Sequence, residues 1–91
     1  MNGGLAMTES HEKTALFRSA QLEQDRSVRD VLRQVYDALQ EKGYNPIGQI
    51  VGYLMSGDPT FITSHQGART LITAIERDVI LEELIKVYLQ R

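Results

Sequence analysis

The chain predicts an all-α protein: a compact four-helix domain with a flexible N-terminal arm, forming a homodimer. Three observations point there. Apolar residues recur three and four positions apart over most of the chain after Arg26, the spacing of an amphipathic helix. Helix starts and stops are spelled out by Gly43, Asn45–Pro46 and Gly57–Asp58–Pro59, residue types that cap or break helices for stated steric reasons. The last segment carries more apolar surface than one side of a small bundle covers.

Residues 1–26 read as the arm. Met1–Ala6 (MNGGLA) reads as an appended remnant or an upstream start, with Met7 a plausible native first residue. The arm is mostly polar and lacks a sustained helical period. Leu16 and Phe17 are its strongly apolar pair and are placed to dock onto the domain. Residues 27–91 form the domain.

Helix one spans about Ser27 to Lys42. Val28, Val31, Leu32, Val35, Tyr36 and Leu39 share one face, and Arg29, Asp30, Arg33, Asp37 and Glu41 take the other. Ser27 or Asp25 offers the starting cap, and Gly43 ends the helix. Helix two spans about Pro46 to Ser56, with Asn45 as cap and Pro46 in the first turn. Ile47, Ile50, Val51, Leu54 and Met55 form its apolar arc. Gly48 and Gly52 lie along the edge of that arc, and each costs about 1 kcal/mol of helix stability relative to alanine. Close approach of another backbone would offset that cost.

Phe61 and Ile62 are expected to pin the next connection to the core. Helix three spans about His65 to Glu76, capped by Ser64, with Ala68, Leu71, Ile72 and Ile75 inward. Helix four spans about Val79 to Gln90, with Asp78 as a possible cap, and nothing in between forbids its being continuous with helix three. Ile80, Leu81, Leu84, Ile85, Val87, Tyr88 and Leu89 spread over roughly 200° of its circumference, against a usual stripe of just over 100°. The excess is the main physical reason to expect a homodimer. Its interface is placed on Gly48, Val51, Gly52 and Met55 of helix two and on Leu81, Leu84, Ile85 and Tyr88 of helix four.

Bulk numbers bound the function. Ninety-one residues make one domain. A core of about 65 residues buries only roughly 60% of its unfolded surface, and with no cysteine neither a disulfide nor a thiolate metal site reinforces it. Association is the remaining means. No apolar run approaches the about 18 residues of a membrane span, and no signal-peptide core precedes the domain. The expected setting is cytoplasmic, without membrane insertion. The net charge of −2 and pI near 5.6, with eight acids against seven bases in residues 27–91, argue against nucleic acid as a partner.

Catalytic chemistry is not spelled out. The titratable bases near neutrality are His11 in the arm and His65 in a turn, and no nucleophile–base–orienter set or phosphate loop occurs. Glu76, Asp78, Glu82 and Glu83 read as a solvated helix face rather than a metal site. Expected cofactors and metals are none. Tyr44, Tyr53, Phe61 and Tyr88 read as core or interface aromatics rather than as stacking platforms. Helix two, its turn and helix three can be drawn as helix-turn-helix, but Arg69 and Arg77 are the cations on offer there. A nucleic-acid-binding regulator is the alternative from another class. The arm's hydroxyls (Thr8, Ser10, Thr14 and Ser19) lie in a mixed-charge context that a kinase can reach, although an inert tail fits the composition better.

The segment EKGYNPIGQIVGYLMSGDP, followed by FI, AR, LI and ERDVILEELIKVYL, closely resembles the IreB family of small regulatory phosphoproteins from Gram-positive bacteria. The resemblance covers about Thr14 to Leu89. It implies a cytoplasmic helical homodimer that is not an enzyme. Its implied partners are a membrane-anchored Ser/Thr kinase that senses the cell envelope, the matching phosphatase and a downstream protein. The family's acceptor threonine, placed before an apolar–aromatic pair, matches Thr14 in EKTALF. A second acceptor three residues upstream in some members matches His11, which leaves Ser10 or Thr8 as substitutes. Arg18, Arg69 and Arg77 are candidate partners for the phosphate.

Overall fold

Apolar residues at helical spacing organise the first element of the computed structural model, which describes residues 27–90. α1 is helical over 27–41. Val28, Val35, Ala38 and Leu39 are buried along it, and Val31 and Leu32 pack against them from the sides. Gly43, at φ 81°, takes the left-handed conformation that ends it. The Gly43 N–H donates to the Gln40 carbonyl at 3.0 Å and the Tyr44 N–H to the Leu39 carbonyl at 3.0 Å. That pair of bonds satisfies two carbonyls the helix end would otherwise leave open. Asp25, one of the two expected caps, lies outside the described residues, and Ser27 is already helical.

α2 runs Pro46–Ser56, the predicted range. The Asn45 side chain accepts from the Gly48 N–H at 3.3 Å, and Pro46 occupies the first turn, where its missing N–H costs nothing. Gly57, at φ 75°, closes the helix by donating to the Tyr53 carbonyl at 2.7 Å. A short 3-10 turn, Pro59–Phe61, follows, capped by Asp58. It folds back on α2: Gln49 Nε2 donates to the Phe61 carbonyl at 2.9 Å, and Ile62 is fully buried.

The third helix differs from the expectation. His65–Gly67 is a separate 3-10 turn, and α3 is only Ala68–Thr73. Gln66 (φ 58°) and Gly67 (φ 70°) are both left-handed, so the α-helical ladder cannot pass through them. Ser64 makes no side-chain cap; the His65 N–H is taken by Thr63 Oγ1 at 3.2 Å instead. The kink puts Ala68 and Ile72 into the core and lets Arg69 Nε donate to the Ile62 carbonyl at 2.9 Å.

α3 and α4 are not continuous. Thr73 Oγ1 bonds back to the Arg69 carbonyl at 2.7 Å, and Glu76 is extended (φ −65°, ψ 141°) ahead of α4, Arg77–Leu89. Asp78 lies inside the first turn of α4 rather than at its N-cap position, where Glu76 makes no side-chain bond, yet Asp78 Oδ1 accepts from the Val79 N–H at 3.0 Å. Its charge there still favours the positive end of the helix dipole. The break re-aims the chain so that Ile72 and Ile80 both reach 0% exposure.

One core results. Val28, Val35, Ala38 and Leu39 of α1 meet Ile50 and Tyr53 of α2, Ile62, Ala68 and Ile72, and Ile80 of α4. No buried side-chain nitrogen or oxygen among the described residues lacks a partner.

Candidate functional site

Once that core is filled, a second set of large apolar side chains stays outside. On α2 these are Ile47, Val51 and Met55, spaced four apart, with Tyr44 ahead of them. Met55 is 81% exposed. On α4 they are Leu81, Leu84, Ile85, Val87, Tyr88 and Leu89, and Ile80 is the buried residue of that helix. Tyr88 is 74% exposed. Scattered exposed apolar residues are ordinary, but contiguous stripes mark interaction surfaces.

The two helices that carry the stripes are tied at one corner. Arg77 Nη1 donates to the Leu54 carbonyl at 3.1 Å, which ties the start of α4 to the last turn of α2. The guanidinium lies over Gly57, where a Cβ would come within 2.8 Å of Arg77 Cζ. The left-handed backbone at Gly57 is what favours glycine there, since the guanidinium at the end of a flexible side chain can move aside. Met55 and Leu81 flank this corner in sequence.

The eight residues placed at a shared interface fall differently. Val51, Met55, Leu81, Leu84, Ile85 and Tyr88 are exposed. Gly48 is exposed too, with the Asn45 cap over it. Gly52 is half-buried, and its missing side chain is explained within the chain. A Cβ there would lie 2.6 Å from Phe61 Cε1, so the close approach that offsets its cost is an aromatic ring of the same protomer and not another backbone.

A groove of about 420 Å³ runs between α1 and α4. Val28, Leu32, Tyr36, Leu84 and Val87 supply its apolar walls, with Arg29, Arg33 and Glu83 on the rim. Sequence reasoning missed it. Its two walls lie about 50 residues apart in the chain, and no local signal says which faces of two helices diverge.

No group of three or more His, Cys, Asp or Glu among the described residues is arranged to hold a metal ion. His65 Nε2 lies 3.7 Å from Glu41 Oε1. The aromatics divide: Tyr53 is buried, Phe61 packs against the core, and Tyr44 and Tyr88 are exposed. Arg69 and Arg77, the domain's expected phosphate partners, are each bonded to a backbone carbonyl. Thr14, Thr8, Ser10, His11 and Arg18 lie outside the described residues. No helix among the described residues is long and apolar enough to cross a membrane.

The described residues thus define a small all-helical protein with two exposed apolar stripes and a groove. The family model for the IreB regulatory phosphoproteins matches residues 12–90. The chain belongs to that family.

Proposed function

We propose that this chain is a cytoplasmic, homodimeric signalling protein without catalytic activity. A membrane Ser/Thr kinase that reports on the cell envelope phosphorylates it at Thr14, with Thr8 or Ser10 as secondary acceptors, and a phosphatase reverses the mark. The modified and unmodified forms differ in which downstream protein they bind. One observation supports the dimer most: the apolar stripes of α2 and α4 lie outside a core that is already filled. Burying a Val, Leu or Ile side chain contributes about 1.5–3 kcal/mol, so two copies sharing these stripes gain what each lacks alone. Membership in a regulatory phosphoprotein family supports the phosphorylation half.

Two measurements test the reading. Sedimentation of the full chain at micromolar concentration should give twice the protomer mass; a lone protomer would refute the dimer. Incubation of wild type and Thr14→Ala with the kinase, followed by mass spectrometry, should show most of the phosphate gone in the variant. Equal incorporation would remove Thr14 from its role.

A further inference from the structure

We infer that the groove between α1 and α4 is the docking site for this chain's own Leu16–Phe17 segment, and that Arg29 and Arg33 on its rim receive a phosphate carried by Thr14. The docking half stands on the groove and the tether. The phosphate half rests on the Thr14 reading above.

The groove is lined mainly by apolar side chains, with Arg29 and Arg33 against the single carboxylate of Glu83 as its charged residues. Leu84 and Val87 line it while remaining 40% and 43% exposed, so a wall of the right chemistry is unfilled by the described residues. Its α1 wall begins at Val28, two residues after the undescribed segment ends at Arg26. A segment tethered that closely meets the groove at an effective concentration in the millimolar range.

Reach is sufficient. Phe17 precedes Val28 by eleven residues, which span up to about 36 Å when extended. The α1 wall from Val28 to Tyr36 rises about 12 Å. The pattern matched by the family model begins at residue 12 and so takes in Thr14, Leu16 and Phe17 while leaving out the first eleven residues.

Charge complementarity supplies the second half. Thr14 lies two residues before Leu16, at most about 7 Å along the chain, which keeps it within reach of Arg29 and Arg33 when the pair is docked. Arg29 and Arg33 are one helical turn apart there, and neither is ion-paired among the described residues. A phosphothreonine brings about −1.5 to −2 charges and three strong acceptors, which two guanidinium groups can share in charge-assisted bonds. Arg69 and Arg77 are poorer candidates, being engaged with backbone carbonyls.

The test uses the full chain labelled with nitrogen-15. Phe17→Ser should shift the amide signals of Leu32 and Tyr36 and leave those of Ile47 and Val51 on α2 in place, equally at tenfold lower concentration. Leu84 and Val87 are not used as reporters because they belong to both the groove and the α4 stripe. Unmoved groove signals overturn docking. So do groove signals that follow concentration rather than Phe17, which would seat a second copy there. A helix continuing unbroken through residues 18–26 also overturns it, because Phe17 would then lie about 16 Å beyond Val28. For the phosphate, phosphothreonine is incorporated at position 14 by synthesis and exposed to a broad-specificity phosphatase. Arg29→Gln with Arg33→Gln should speed its release at least fivefold. Equal release overturns the arginine assignment. Failure of a kinase to modify Thr14 would count against the Thr14 reading alone, since neither arm here depends on a kinase.

Discussion

Ile72 and Ile85 are the same side chain, on helices of the same chain, in opposite circumstances. Ile72 has no exposed surface, and Ile85 is 58% exposed. Ile72 sits where α1, α2 and the turns after α2 converge on one core; Ile85 sits on a helix that gives that core the buried Ile80, with Val79 packed against it. Hydrophobicity along the sequence does not distinguish these two roles. The difference is how many neighbours each helix has among the described residues, and α4 has few. One set of apolar residues builds the fold, and the other is presented.

The largest effect should come from the first set. Ile72→Ala removes buried methylenes from a filled core and should cost about 2–5 kcal/mol. A domain this small has little stability beyond that, so the thermal midpoint should fall steeply and by the same amount at every protein concentration. A loss that vanished on dilution would mean that Ile72 acts through association, and the contrast with Ile85 would collapse.

Val51→Asp and Ile85→Asp test the other side. Each places a charge on an exposed stripe, so protomer helicity by circular dichroism should be unchanged. Each gives up about 1.5–3 kcal/mol of apolar burial if two copies meet there, so self-association should weaken at least about tenfold. Loss of helicity in either variant would place that residue with the core instead.

A finer probe lies between the two regions. Gly52 is on α2 beside the exposed stripe, yet the Phe61 ring covers it. Alanine improves helix propensity by about 1 kcal/mol, but overpacking typically costs about 1–3 kcal/mol. Gly52→Ala should therefore destabilise by about 1 kcal/mol in denaturant unfolding, and Phe61→Leu in the same chain should restore most of it. A stabilised single variant would show that the ring gives way freely.

The same distinction decides what was legible in the sequence. The bounds of α2 were readable because Asn45–Pro46 and Gly57–Asp58–Pro59 act locally, through caps and backbone preference. The start of α3 was not. Gln66 is not a residue type that announces a left-handed conformation, and its φ of 58° shows only in the folded chain. The break before α4 was hidden for a similar reason, since Glu76 is extended without a glycine or proline to mark it. The wide apolar arc of α4 was legible as an excess, because counting positions around a helix needs no partner. The groove was not, because it depends on how α1 and α4 diverge. The role of Gly52 was half legible: a glycine inside a helix signals close approach, but only the fold identifies Phe61 as what approaches.

The smallest expected effect concerns the corner where α2 gives way to the next turn. Asp58 Oδ1 accepts from the Thr60 N–H at 2.9 Å and from its hydroxyl at 2.7 Å. The backbone bond, then the hydroxyl bond, with a lesser contribution from Arg69, hold the carboxyl below its ordinary range, and partial loss of hydration opposes them. A carboxylate whose pKa is depressed on folding adds stability that is fully present above its unfolded pKa of about 3.9, and loses it as pH falls through the folded value. Asp58→Asn keeps an acceptor oxygen but not the charge, so it isolates the ionic part. The wild type should melt slightly higher than the variant from about pH 7 down to about pH 5, and the gap should close below about pH 4. Because the group is open to solvent, the gap should also shrink in high salt. A gap of constant size across that pH range would show that the geometry of the turn, and not the charge on Asp58, holds this corner between the buried and the presented regions.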